Sequence, residues 1–257
     1  DAPGQRMLQA HGVTHPGHVR KVNEDCVAFD LDLGLFIVAD GMGGHNAGEV
    51  ASALATESVM SFVRRTQEGD DVTWPYGIDR ALSFHANRLM TAIRLANRRV
   101  FRTAENRDEL SGMGTTIVAG LVDGDMLVFA GVGDSRIYSL ADGALTQLTT
   151  DDSWIATLRG TPAEVPPGVK HPMRHVLTSV VGAREQLDLQ VLERRLRADE
   201  ILLFCSDGLH GELSDEQIAE VLATSPDPEA AATRLVAAVL EGRAPDNVTA
   251  LVVRQRA

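Results

Sequence analysis

Four short runs rich in β-branched and apolar residues crowd into one stretch of the chain: Thr115–Val122, Met126–Val132, Arg136–Leu140 and Leu145–Leu148. Asp123-Gly124 and Asp142-Gly143 lie between members of this series. Asx-Gly supplies the positive φ angles that a tight hairpin turn requires. The spacers are too short for crossover helices, which parallel neighbours need. The block therefore predicts an antiparallel meander and argues against a doubly wound parallel sheet.

Further runs of the same kind predict strands at Val27–Phe29, Leu35–Ala39, Val176–Val181, Leu189–Leu196, Ile201–Cys205 and Val248–Val253. Elsewhere the apolar period is helical. Ala47, Val50, Ala51, Leu54, Ala55, Val59, Phe62 and Val63 recur at three- and four-residue steps, as do Leu82, Ala86, Leu89, Ile93, Ala96 and Val100. Ile218, Val221 and Leu222, then Ala231 to Leu240, make two more apolar faces. Helices thus come in pairs between blocks of strands. The fold class expected is α+β: two packed antiparallel β-sheets flanked by helix pairs, an α-β-β-α sandwich. Polar, Pro-containing Thr66–Tyr76 reads as a loop, and Gly160–His171 as a second. The latter belongs to a flap expected at about 150–175. No long linker divides the 257 residues, so one domain over 1–257 is expected.

Composition narrows the function classes. A net charge of −12 with no polybasic run disfavours nonspecific binding to nucleic acid or to an anionic membrane. No apolar stretch approaches the roughly 20 residues that span a bilayer. Cys26 and Cys205 lack the CxxC spacing of a zinc or haem site, and no Cys-x5-Arg phosphate loop is present. The expectation is a cytoplasmic monomer.

Carboxylates stand at strand ends. Asp40 follows Phe36–Ala39, Asp207 follows Leu202–Ser206 and Asp134 follows Val128–Gly133, while Asp25 precedes Val27–Phe29 and Asp246 precedes Val248–Val253. Antiparallel neighbours bring strand ends beside strand starts, so all five aspartates can meet at one edge of a sandwich. Gathered carboxylates repel one another unless cations neutralise them. An oxygen-only donor set without a Cys or His cluster suits hard ions such as Mg²⁺ or Mn²⁺. The glycines after Asp40 and Asp207 are expected to allow tight turns and, at Gly41, to offer a carbonyl to a metal.

The order of the motifs is more specific than any one of them. Gly17-His18-Val19-Arg20-Lys21-Val22-Asn23-Glu24-Asp25 and Ala39-Asp40-Gly41-Met42-Gly43-Gly44-His45 come first. Gly112–Thr116, Gly133-Asp134-Ser135-Arg136, Ser206-Asp207-Gly208-Leu209 and Asp246-Asn247-Val248-Thr249 follow. This series, from about Gly12 to Val253, resembles the metal-dependent protein phosphatases of the protein phosphatase 2C type in their bacterial form. The resemblance implies two antiparallel sheets flanked by helix pairs, as read above.

It also implies hydrolysis of phosphoserine and phosphothreonine in proteins by metal-activated water at a binuclear Mn²⁺ or Mg²⁺ centre, opposing Ser/Thr kinases. By that resemblance Asp40 bridges two metals, Gly41 adds its carbonyl, and Asp207 and Asp246 hold one metal. Glu24 and Asp25 bind metal-coordinated water, and Asp134 reaches a weaker third ion with Asp207. Arg20 clamps the substrate phosphate, since guanidinium offers two parallel hydrogen bonds to phosphate oxygens. Arg136 is expected to pair structurally with a carboxylate.

Met42 stands where many eukaryotic members carry a His after Asp-Gly. His45 is then the nearest imidazole, expected to supply a proton or position the substrate. His11, His15 and His18 read as polar surface, and the two cysteines as buried thiols. Two rival functions are a phosphatase dedicated to one small regulator, such as an anti-sigma antagonist, and a pseudophosphatase binding module. The filled set of ligand positions speaks against the second.

Overall fold

A computed structural model of the chain describes residues 7–67, 72–166, 169 and 171–256. Residues 68–71 of the expected Thr66–Tyr76 loop, and Pro167, Gly168 and Lys170 of the expected flap, lie outside the described residues. Among the described residues no helix is long and apolar enough to cross a membrane.

Among the described residues eleven strands form two antiparallel sheets. One has the order β1 (Met7–His15), β11 (Val248–Arg256), β10 (Ile201–Cys205), β7 (Arg136–Ala141) and β8 (Ala144–Gln147). The other has the order β2 (Asp25–Asp30), β3 (Leu35–Met42), β5 (Ile117–Asp123), β6 (Met126–Val132) and β9 (Leu192–Arg195), with β4 (Gly114–Thr115) on the end of β3. Phe36, Val38, Val118, Phe129, Leu202 and Phe204 fill the space between the sheets. Leu35, Ile37 and Ala39 point the other way, onto α1 (Ala47–Arg65) and α2 (Phe84–Asn106). Both faces of β3 are buried, which is why Phe36-Ile37-Val38-Ala39 is continuously apolar instead of alternating. On the far side α5 (Asp215–Thr224) and α6 (Pro228–Leu240) cover β10 and β11 through Ile218, Leu222, Leu235 and Val239. The α-β-β-α layering is as the sequence predicts.

Helix starts follow local rules. Ser83 accepts from the Ala86 amide at the head of α2, and Asp227 caps α6 with Pro228 in its first turn. Ser214 and Gln217 make a reciprocal capping box on α5.

The structure corrects the predicted meander. Thr115–Leu148 is two hairpins in different sheets: β5 pairs β6 in one, and β7 pairs β8 in the other. The chain crosses between sheets at Gly133-Asp134-Ser135, where Gly133 has φ +96°. A side chain there would be strained, and its Cβ would also stand 2.7 Å from the Thr116 methyl. That crossing leaves Asp134 at the rim between the two sheets.

Two other strand predictions change, and one strand is found that the sequence does not predict. Val176–Val181 is not a strand; Leu177 and Val181 make single bridges to Ser153 and Thr115. Leu189–Leu196 shortens to β9, paired with β6. The apolar pattern does not predict β1, because its half-buried Met-Leu-Gln-Ala-His-Gly-Val-Thr-His has no clean alternation, yet it pairs with all nine residues of β11.

Candidate metal centre

At one edge of the sandwich Arg20, Glu24, Asp40, Gly41, Asp134, His175, Asp207, Asp246 and Asn247 line a cleft of about 410 Å³. Asp25 lies beneath it, 8 % exposed. The strand-end aspartates therefore do converge.

Each is positioned by its element. Asp40 sits where β3 changes partner from β5 to β4, and Thr116 fills the break. The Thr116 amide donates to the Asp40 carbonyl at 2.8 Å, and the Asp40 amide donates to Thr116 Oγ1 at 3.0 Å. Asp25 is fixed through one oxygen: its Oδ2 accepts from Ser206 Oγ at 2.7 Å and Thr249 Oγ1 at 2.6 Å. Asp207 begins the short helix α4 (Asp207–His210) directly after β10. Asp246 precedes β11, and its two oxygens receive the Arg20 fork at 3.1 and 3.2 Å. Arg20 is thus held on a carboxylate, with over half of its side chain exposed.

Glycines at 41 and 208 answer a different need from the one expected. Gly41 lies in extended β3, and a Cβ there would stand 1.8 Å from the Gly48 carbonyl of α1. Gly208 lies in α4, 1.8 Å by the same measure from the Asn247 carbonyl. Close backbone approach, not a tight turn, excludes a side chain at both.

Electrostatics show the strain of this gathering. Burial raises the Asp25 carboxyl to about 6. Burial, then Asp207 and Asp151, raise Asp134 to about 7. Burial and the neighbouring Asp25 and Asp207 push Asp40 well above the usual carboxylate range. Burial and Asp246 raise Asp207, and burial raises Glu24 against the pull of Arg20. Crowded buried carboxylates hold protons in this way unless cations replace them.

A family model for protein phosphatase 2C matches residues 17–243. The chain belongs to the protein phosphatase 2C family. It is 38 % identical over 240 residues to the serine/threonine protein phosphatase PstP of Mycobacterium tuberculosis, covering 92 % of this chain and 43 % of that protein. This chain thus spans less than half the length of that mycobacterial relative. It is 30 % identical over 256 residues to the serine/threonine phosphatase Stp of Listeria monocytogenes, covering 96 % of each. The crystal structure of the PstP catalytic domain in complex with two manganese ions superimposes with a TM-score of 0.83 at 34 % identity, covering 98 % of this chain and all of that one.

The donor set of this protein phosphatase 2C chain fits divalent cations. Glu24 Oε1, Asp25 Oδ1 and Asp207 Oδ1 are buried oxygens without a hydrogen-bond partner among the described residues. Such oxygens are costly unless something electropositive meets them. Among the described residues no three acidic, His or Cys side chains already surround one common point. Asp207 instead stands near enough to Asp40 for its charge to raise the Asp40 carboxyl.

His45 is not brought into the cleft. It is exposed, in left-handed backbone at φ 55°, one residue before Asn46 at the head of α1. His15 and His18 bond the Gly17 amide and the Leu240 carbonyl. Arg136 forks onto Asp151 at 2.9 and 2.7 Å, the structural pairing expected of it.

Five residues around the site carry roles that the sequence pattern does not assign. Ser206, Thr249 and Thr116 hold Asp25 and Asp40. Asn247 accepts from the Glu24 amide and donates to the Pro16 and Val22 carbonyls, so it pins the loop bearing Arg20. His210 Nε2 donates to the Asp134 carbonyl at 2.7 Å. Burial, then Arg136, depress this imidazole to about 4, so it is neutral. Thr249 does leave a signal: it is a lone hydroxyl inside the apolar run Val248–Val253.

Proposed function

We propose that the chain hydrolyses phosphoserine and phosphothreonine in proteins, with Mn²⁺ or Mg²⁺ as cofactor. The observation that carries this reading is the buried carboxylate cleft, with its unpartnered oxygens, in a chain of the protein phosphatase 2C family. The mycobacterial and Listeria relatives support it by name.

Asp40, the Gly41 carbonyl, Asp207 and Asp246 would hold two cations, and Asp134 with Asp207 a weaker third. Bound there, the cations supply Lewis acidity and an acidified water at neutral pH. Glu24 and Asp25 orient water: Asp25 is locked by two hydroxyls on one oxygen and keeps the other free. Arg20 spends part of its fork on Asp246, and its remaining N–H donors can take phosphate oxygens. His175, Leu177 and Val180 wall the cleft from the segment that follows Trp154–Thr157 (α3). This supports one catalytic domain with a flap at about 150–175. The substrates are then phosphoproteins made by Ser/Thr kinases, met in the cytoplasm by a monomeric domain.

The test is hydrolysis of a phosphothreonine peptide with Mn²⁺, and again after EDTA. Turnover that EDTA abolishes and Mn²⁺ restores supports the reading; turnover indifferent to both overturns it.

A further inference from the structure

A concavity larger than the carboxylate cleft lies elsewhere on the described surface. It is a groove of about 800 Å³ between α1 and α2, floored by Leu95 and lined by Arg65, Arg98, Arg99, Arg102 and Arg107. Among the described residues no aspartate or glutamate lines it. Arg99 pairs with Glu57 at 3.2 Å. Arg65, Arg98, Arg102 and Arg107 have no carboxylate within 4.0 Å among the described residues. In a chain of net charge −12, five of the 24 basic residues therefore line one hollow, most of them without a carboxylate partner among the described residues.

A solvated helix face does not account for this arrangement. Arg98 and Arg102 are one turn apart on α2, and like charges at that spacing cost a helix a few tenths of a kcal/mol. Glutamates placed between them would have relieved the repulsion. The arginines that line the groove also come from two helices, since Arg65 belongs to α1. We propose that this groove docks an acidic segment of the phosphoprotein substrate, remote from the phosphorylated residue. The proposal rests on the phosphatase reading for the identity of the partner.

The shape favours a short peptide over an extended polyanion. The groove is local, while the net charge of −12 repels a nucleic-acid duplex or an anionic membrane at long range. Carboxylates of a peptide can meet the guanidinium forks in pairs.

The helix gives a spacing. α1 begins at the cleft, where a Cβ on Gly48 would stand 2.4 Å from Glu24 Oε1. The groove begins at Ser58, ten residues on, or about 15 Å along the helix. An extended peptide covers that distance in about five residues. The acidic segment should therefore lie at least about five residues from the phosphothreonine.

The test uses a fluorescein-labelled peptide of alternating Glu and Ser, its Gln-for-Glu counterpart, and the double variant R98E/R102E, neither residue being part of the cleft. Anisotropy should show the Glu peptide binding the wild type at 50 mM salt, with at least tenfold weaker binding to the variant and to the Gln peptide. R98Q/R102Q, with thermal melts of both variants, guards against misfolding and should show the same loss. Hydrolysis of p-nitrophenyl phosphate with Mn²⁺ should be equal in all three proteins. A phosphothreonine peptide with an acidic segment eight residues away should have a KM about tenfold below its Gln version in the wild type only. Equal binding by wild type and variants overturns the proposal. So does tighter, arginine-dependent binding of duplex DNA or phosphatidylglycerol vesicles. Failure of the wild type to hydrolyse p-nitrophenyl phosphate would instead overturn the phosphatase reading, leaving the binding result to stand separately.

Discussion

Asp25 on β2 and Asp40 on β3 are direct cross-strand partners. Like charges placed opposite each other weaken a sheet, and here Asp25 is buried and Asp40 half-buried. Asp25 is raised to about 6 by burial, and Asp40 is raised well above the usual range. The pairing is a cost to the fold that a cation held by the cleft carboxylates would reduce.

That cost gives a pH dependence. Between about 4 and 6 the folded, metal-free chain keeps a proton on Asp25 that the unfolded chain has released. Stability of the metal-free protein should therefore fall as pH rises through this window, by up to about 1.4 kcal/mol per pH unit for one such proton. Asp134, raised to about 7, extends the window upward. Cations need the ionised carboxylates, so the gain in Tm on adding Mn²⁺ should grow from pH 5 to pH 7.5. Melting curves with EDTA and with Mn²⁺ check this; an equal gain at both pH values would contradict it.

Arg20 and Asp246 make a fork in which one member is the expected phosphate ligand and the other an expected metal ligand. Arg20→Ala should raise KM for phosphopeptide about tenfold or more, with a smaller change in kcat, and should weaken inhibition by inorganic phosphate. It should also free Asp246 and leave Mn²⁺ affinity equal to or above that of the wild type. Asp246→Asn should lose Mn²⁺ affinity. Calorimetric titration of Mn²⁺ into both variants separates the two roles.

His210 holds the Asp134 carbonyl from inside the protein. His210→Ala should cost about 1–3 kcal/mol, the penalty for leaving a buried acceptor unpaired. Urea unfolding measures that loss. If Asp134 serves only a weaker third ion, the variant should keep the stoichiometry of tight Mn²⁺ binding and turn over more slowly.

His45 stands in left-handed backbone outside the cleft. His45→Gly should therefore preserve hydrolysis of both phosphothreonine peptide and p-nitrophenyl phosphate within about twofold, since glycine adopts this backbone freely. A selective loss on the peptide, whose alkoxide leaving group needs a proton, would restore His45 as an acid.

Much of this protein is local and legible in its amino-acid sequence. Asp142-Gly143 specifies its hairpin, and both residues have the positive φ that the pair predicts. The helical steps from Ala47 to Val63 and from Leu82 to Val100 give α1 and α2 their buried faces. Aspartates at strand ends, in the order of the protein phosphatase 2C motifs, point to the cleft. These signals are read within one element or its flanks, where side-chain period and backbone preference act.

Partner choice between strands is not local, and only the tertiary structure decided it. Nothing in the spacing of β6 and β7 tells that they belong to different sheets, because the alternation of a strand is the same whichever neighbour it finds. That one crossing at Gly133–Ser135 sets Asp134 at the rim. The same holds for the Arg20–Asp246 fork, spanning 226 residues, and for His210 beneath Asp134. It holds again for the arginine groove: the sequence has no polybasic run, and the groove exists only because two helices pack side by side and bring Arg65 to Arg98 and Arg102.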